Sequence, residues 1–375
     1  MHQFPSNRGI RGMKIIDQMA RTLVNESLKI KKEDVIVVST YQHTIDMANA
    51  IAMECFKKGA DVLMTLDTDD VFYGHLKVLS KANLRTTSAH CLGLAEYTNV
   101  NIWLGGPEDP SEMKRIPADK FSALFEGEQA HFEKARKKGI RSAYIPLGTV
   151  TPQRAKVYGF PYNAWMRNIT GAMRVSPKKM SAFGRKLANR LSKAKDVHIT
   201  SRQGTNLTFR LGKRPVHIYD GILDAADVKK GMTFVSLPSG EVTVTPLENS
   251  AEGKVVFDVH VAQVGKLVQN MRWRFKKGRL TEFKASRNLK AVKDFYDLAH
   301  GDKDRIGFLN LGMNPNAKVG YLMNSIANGA VSIGIGGNEM LGGKNKSDYE
   351  LAGTMSKATV ELDGKEIIRN GKYTI

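Results

Sequence analysis

The hydrophobic pattern divides the chain into two textures. Over the first ~150 residues, short β-branched apolar runs alternate with stretches of helical period. Asp34–Thr40, Ala60–Leu66, Asn99–Gly105 and Arg141–Pro146 read as strands. Between them, Ile45, Ala48, Ile51, Ala52 and Cys55 fall at helical spacing, and Pro117–Lys138 reads as a further helix; Gly59 and Gly139 supply the stops. Strands separated by helices of this length predict an α/β domain with a parallel, doubly wound sheet. Asp69 reads as the cap of the helix after the second strand. His43, just past the first strand, stands where doubly wound folds bind ligands, although a capping or surface histidine is the commoner outcome.

A helical connector follows. Ser176–Pro177 form an N-cap and N1 pair, and Met180, Phe183, Leu187 and Leu191 lie on one stripe. Lys178, Lys179, Arg185, Lys186, Arg190, Lys193 and Lys195 occupy the other faces. Beyond residue 196 come short strands and glycine-rich turns: Val197–Ser201, Leu207–Leu211, Thr233–Leu237, Val242–Thr245 and Val255–His260. Met271–Leu280 alternates strictly, with Met271, Trp273 and Phe275 on one side and Arg272, Arg274 and Lys276 on the other, before a Lys277–Gly278 turn. That alternation makes Trp273 a core residue rather than a platform for a stacked base. The predicted division is residues 1–195, an α/β domain ending in the basic helix, and 196–375, a β-rich α+β domain.

Charge sharpens this picture. The chain carries 57 Lys and Arg against 37 Asp and Glu. The excess sits in two stretches: Arg167–Arg214 holds thirteen basic residues and one acid, Asp196, and Lys266–Lys293 holds ten and one acid, Glu282. A clustered positive field favours polyanions, so RNA or the ribosome is the expected partner, through Lys178, Lys179, Arg185, Lys186, Arg190, Lys193, Arg272, Arg274, Lys276, Lys277 and Arg279. The competing reading is a solvated basic surface on a core-packed helix. Cys55 and Cys91 are the only cysteines, which excludes a disulfide framework and fits a reducing cytoplasm. The start of the chain, residues 1–14, has no apolar h-region, and no run of ~18 apolar residues suggests a membrane span.

The sharpest local signal is Leu237–Val242, LPSGEV, whose Pro238 and Gly240 shape a turn that presents Glu241 at the start of a strand. Taken alone, such a glutamate is ordinarily a solvated surface residue. Together with Pro246, Ser250, Gly253 and Asp258, the run resembles the heart of the aminopeptidase T family. Gln203–Phe209 is similar to that family's GTDLTF run, Leu311–Asn316 to its LGxNP turn, and Gly342–Lys346 to its GGKN turn. The resemblance is dense from about residue 196 to the end and sparser before it. It implies a homodimeric metallo-aminopeptidase with two divalent metals in the C-terminal half, clamping a bridging hydroxide against the scissile carbonyl.

Carried over residue by residue, the family's two Glu, two His, Tyr and Asp fall on Glu241, Phe308, Ser332, Glu350, Glu339 and Ala352. Phe308, Ser332 and Ala352 cannot rebuild that site, and no histidine follows His300. The same deficit argues against the two-His-one-carboxylate iron site of the dioxygenases built on this fold. Two expectations result. The favoured one is a family member without aminopeptidase catalysis and without a bound cofactor, whose basic surface binds RNA or the ribosome. The alternative is a metal-dependent aminopeptidase in which Glu241, Glu339 and Glu350 hold a divalent cation (Mg²⁺, Mn²⁺ or Zn²⁺), with Lys344 or Lys346 compensating the charge. Gly337–Asn345 only superficially matches a P-loop, because Asn345 stands where Ser or Thr is required.

Overall fold

The computed structural model describes residues 9–229 and 231–375. The first eight residues, read above for the absence of a secretory leader, lie outside that set. In chain order the strands are β1 (Val35–Tyr41), β2 (Asp61–Asp67), β3 (Val100–Trp103), β4 (Arg141–Tyr144), β5 (Asp196–Thr200), β6 (Asn206–Tyr219), β7 (Phe234–Ser236), β8 (Glu241–Pro246) and β9 (Glu252–Val256). They continue with β10 (Val261–Gln263), β11 (Lys266–Val268), β12 (Arg272–Lys276), β13 (Arg279–Lys284), β14 (Ile306–Gly312), β15 (Val331–Gly336), β16 (Glu350–Met355), β17 (Thr359–Leu362), β18 (Lys365–Arg369) and β19 (Lys372–Tyr373). Among the described residues no helix is long and apolar enough to cross a membrane. Cys55 is buried and Cys91 exposed, and both are free.

Two compact units result. The first comprises 1–156, 161–173 and 221–238. Its sheet is parallel, in the order β2-β1-β3-β4-β7. The apolar run of β1 fills its centre, with Ile36 and Val38 fully buried. The predicted strand and helix alternation is therefore present. One strand was assigned to the wrong region: Phe234–Ser236 pairs with β4, Ala143 opposite Val235, and closes the first unit's sheet. Its local pattern says "strand", and only a long-range pairing decides which sheet it joins. Thr68, not Asp69, caps the helix after β2 by accepting from the Val71 N–H.

The second unit comprises 157–160, 174–220 and 239–375, so it starts well before residue 196. The basic helix Pro177–Lys193 belongs to it rather than to the α/β unit. Its buried stripe (Met180, Gly184, Leu187, Leu191) lies in the same apolar core as Val242, Val244, Leu309 and Leu311. Gly184 permits the approach: a Cβ there would sit 2.5 Å from the Ile218 side chain. A large antiparallel sheet carries the order β16-β15-β14-β8-β6-β5-β17-β18-β19, and β9, β12 and β13 extend it beside β6. The ninth strand begins at Glu252 rather than Val255. Gly253 explains the early start: its φ is +112°, and any side chain would strike the Asn206 carbonyl across the ladder.

Candidate functional site

The LPSGEV turn is locked to the LGMNP turn. Gly240 has φ +137°, and a Cβ on it would lie 2.6 Å from Asn314 Cβ. Met313 N–H donates to the Gly240 carbonyl (2.7 Å) and Asn314 Nδ2 to the Ser239 carbonyl (2.8 Å). Ser239 Oγ donates to the Tyr219 carbonyl at 2.9 Å. Two distant motifs thus fix where β8 starts and leave Glu241 at its first position, opposite Tyr219 on β6 and Gly312 on β14.

Alternation along these strands puts one set of side chains on one face. Ladder partners line up as Thr354, Ser332, Asn310, Thr243 and His217, one from each of β16, β15, β14, β8 and β6. All five are buried. Ser332 Oγ and Thr354 Oγ1 share a hydrogen bond of 2.9 Å, and Thr243 Oγ1 donates to Asn310 Oδ1 at 2.8 Å. Asn310 Nδ2 reaches Glu241 Oε2 at 3.5 Å, the outer limit of a hydrogen bond. Beside this row stands a second: Ala352, Gly334 and Phe308. The Phe308 ring occupies the space beside Gly334, whose missing side chain makes the room; a Cβ there would overlap ring carbons of Phe308.

Burial raises the Glu241 carboxyl above the usual carboxylate range, and a hydrogen bond with Ser325 only partly offsets it. Burial raises Glu350 likewise, although that residue keeps an exposed edge. Tyr219 is held firmly as a neutral phenol, first by burial and then by the charges of Glu241 and Glu350. Glu339 stands apart on a short turn, more than half exposed, with Lys346 at 4.0 Å. Among the described residues, no three His, Cys, Asp or Glu side chains are grouped to hold a cation. The three carboxylates expected together from the sequence therefore do not converge. The Lys344 backbone N–H donates to Glu248 Oε1 at 2.7 Å. A two-metal centre needs several carboxylates or imidazoles within reach of shared oxygens. The donor set present here does not fit one.

Sequence reasoning placed Phe308, Ser332 and Ala352 but missed Tyr219, Thr243, Asn310 and Thr354, which complete the face. The alternation His217–Tyr219 was a signal; the register that aligns it with Glu241 was not readable. The GGKN turn has a structural task. Asn345 Nδ2 donates to the Ile306 and Gly336 carbonyls and Asn338 Oδ1 accepts from Asn345 N–H, with no phosphate-cradling strand and helix around them.

The basic surface is a second feature of this unit. On β12, Trp273 and Phe275 are buried at 1% and 2% exposure while Arg272, Arg274 and Lys276 are exposed. Trp273 packs edge-on against Phe257 and Phe283, so base stacking on it is ruled out, as expected. Lys254 on β9 faces Arg274 and Lys284 on β13 faces Arg272, extending the cationic face. Glu282 is taken by Lys284 at 3.0 Å. Arg279 is engaged by Asp304 at 2.7 Å and is thereby removed from the free cations. Lys277 makes the turn, its N–H bound to Glu252. Lys178, Lys179, Arg185, Lys186, Arg190 and Lys193 are all exposed along a helix that contains no acid.

Comparisons with known proteins follow this geometry. The family model described as thermophilic metalloprotease (M29) matches residues 13–326, a stretch that includes Glu241 and Phe308. Wild-type AmpT from Thermus thermophilus superposes with a TM-score of 0.77 at 17% identity, over 96% of this chain and 99% of that one. The 2,5-dihydroxypyridine dioxygenase from Pseudomonas putida KT2440 gives 0.60 at 16% identity, over 96% of both chains. At these identities the superpositions establish the fold. No curated protein sequence matches the chain.

Proposed function

Because the chain belongs to the thermophilic metalloprotease (M29) family, we propose that it is a member of that peptidase fold without two-metal aminopeptidase catalysis, acting as an RNA-binding protein. One observation carries the reading: Arg272, Arg274 and Lys276 project from one strand into solvent with no ion-pair partner within 4 Å among the described residues. A strand fixes its side-chain directions, so three cations on alternate positions present a spaced row to a phosphate backbone. The basic helix adds six more cations. On the face holding Glu241, Ser332 is bonded to Thr354 and Asn310 to Thr243.

Fluorescence anisotropy with a labelled RNA tests the binding. Phosphate contacts release counterions, so affinity is expected to fall steeply with salt, by about a factor of ten or more between 50 and 200 mM. A flat salt response sinks the RNA reading. Metal analysis with hydrolysis assays on Leu- and Met-amide substrates tests the catalytic half. Stoichiometric metal, together with hydrolysis abolished by Glu241→Gln, overturns it.

A further inference from the structure

The first unit carries a cavity of about 340 Å³ at the carboxyl ends of β1, β2 and β3. In the order β2-β1-β3, the chain moves to one side of β1 and then crosses to the other, and the gap so formed beyond the strand ends is where open α/β sheets take their ligands. The side chains there share one sheet face by register: Trp103, Ser39 and Thr65 in one row, with Ser39 and Thr65 as the floor and Trp103 at its side, then Tyr41 and Asp67 one step further out. All five line the cavity.

Its chemistry is selective. No lysine or arginine lines it, and the turn after β1 (Gln42, His43, Thr44) lacks the glycines of a phosphate cradle. The hydroxyls of the floor are already paired, Thr65 Oγ1 donating to Ser39 Oγ at 3.1 Å. His43 is committed to the Gly148 carbonyl at 2.8 Å. Asp69 accepts from the Glu108 and Asp109 N–H groups at 2.8 Å each. Asp67 is different: one oxygen accepts the Thr68 N–H, and among the described residues the group has no ion pair. Tyr41 stays a neutral phenol, raised by burial and by the charges of Asp67 and Asp69. The buried Arg154, which acts on Tyr41 in the opposite sense, does not line the cavity and donates to the Pro107 carbonyl.

A lone half-buried carboxylate among a phenol, an indole and the apolar Leu104 matches a protonated amine on an aromatic or aliphatic body. The ammonium pairs with Asp67 while the ring faces favour both cation and body. We propose that this cavity is a binding site for a small organic ammonium ligand, with Asp67 as its counter-ion and Tyr41 and Trp103 as its walls.

Titration of the full chain with tyramine, its neutral alcohol counterpart and its carboxylate counterpart 4-hydroxyphenylpropionate is the direct test, read by tryptophan fluorescence and calorimetry. Tyramine is expected to bind saturably and at least tenfold more tightly than the other two. Asp67→Asn should remove that preference at an unchanged melting temperature. Trp103→Phe should keep calorimetric binding while abolishing the fluorescence change, which places the ligand without relying on the Asp67 variant. Equal binding of the alcohol, no tyramine binding at millimolar concentration, or a fluorescence change that survives Trp103→Phe overturns the proposal.

Discussion

The buried row Thr354–Ser332–Asn310–Thr243–His217 and the exposed face of Arg272, Arg274 and Lys276 arise from the same device, alternation along antiparallel strands. They leave very different amounts of bonding capacity unmet. In the row, hydroxyl meets hydroxyl and hydroxyl meets amide, and the neighbouring positions are Phe308, Gly334 and Ala352, which ask for nothing. On the cationic face Arg272, Arg274 and Lys276 have no carboxylate within ion-pair distance among the described residues; Lys254 flanks Arg274 on one side, and Glu282, bonded to Lys284, is its ladder partner on the other. The like charges Arg272 and Lys284, and Arg274 and Lys254, stand opposite one another across the ladder and gain little for the fold. A surface that retains them is poised for an external anion, whereas the pairs Ser332–Thr354 and Thr243–Asn310 bond within the sheet.

That contrast can be broken in order of effect. Phe308→Ala uncovers Gly334 inside the sheet and is expected to cost about 3 kcal/mol in chemical denaturation, without creating hydrolytic activity. A cost below about 1 kcal/mol means the ring is not packed as described. Charge reversal of Arg272, Arg274 and Lys276 together is expected to weaken RNA binding roughly a hundredfold at low salt and to flatten the salt slope, with melting temperature nearly unchanged. If affinity holds, the basic helix rather than β12 carries the contact. Ser332→Ala leaves Thr354 Oγ1 without its buried partner and should cost on the order of 1 kcal/mol, with RNA affinity untouched.

The smallest effect is a pH dependence. Burial raises Glu241 in the folded state, so the stability it contributes is fully present below its unfolded pKa and is lost as pH rises through the raised value. Glu241→Gln should therefore gain melting temperature relative to the parent as pH rises above the ordinary glutamate range, and little below it. A gap that does not change across that window would show that the carboxyl is better solvated than its surroundings indicate.

How much of this was legible in one sequence follows the range of the interactions. The buried core of β1, the existence of β2, the helix after each and the two-faced β12 are legible from local period. Phe308, Ser332 and Ala352 are reached through the family resemblance, and the ladder register sets them on a common face. Asn310, Thr243 and Tyr219 are not so reached, since they join Glu241 only through the register of three strands, and a one-residue slip would send each to the opposite face. Lys254 was missed because the ninth strand was started three residues late, past the glycine that fixes its beginning. Arg279 was counted as free because Asp304 is twenty-five residues away in sequence. The carboxylate cluster expected from Glu241, Glu339 and Glu350 is absent among the described residues, Glu339 lying exposed on a short turn beyond β15.

The late arrival of β7 has a consequence for synthesis. The ribosome makes β1 to β4, then β5 and β6 of the other unit, and only afterwards the strand that covers β4. Until about residue 236 has cleared the exit tunnel, the nascent α/β sheet has β4 as a bare edge, a template for pairing with another chain. A fragment cut at residue 195 would carry that bare edge permanently, and its tendency to aggregate would report on a missing strand rather than on a weak core.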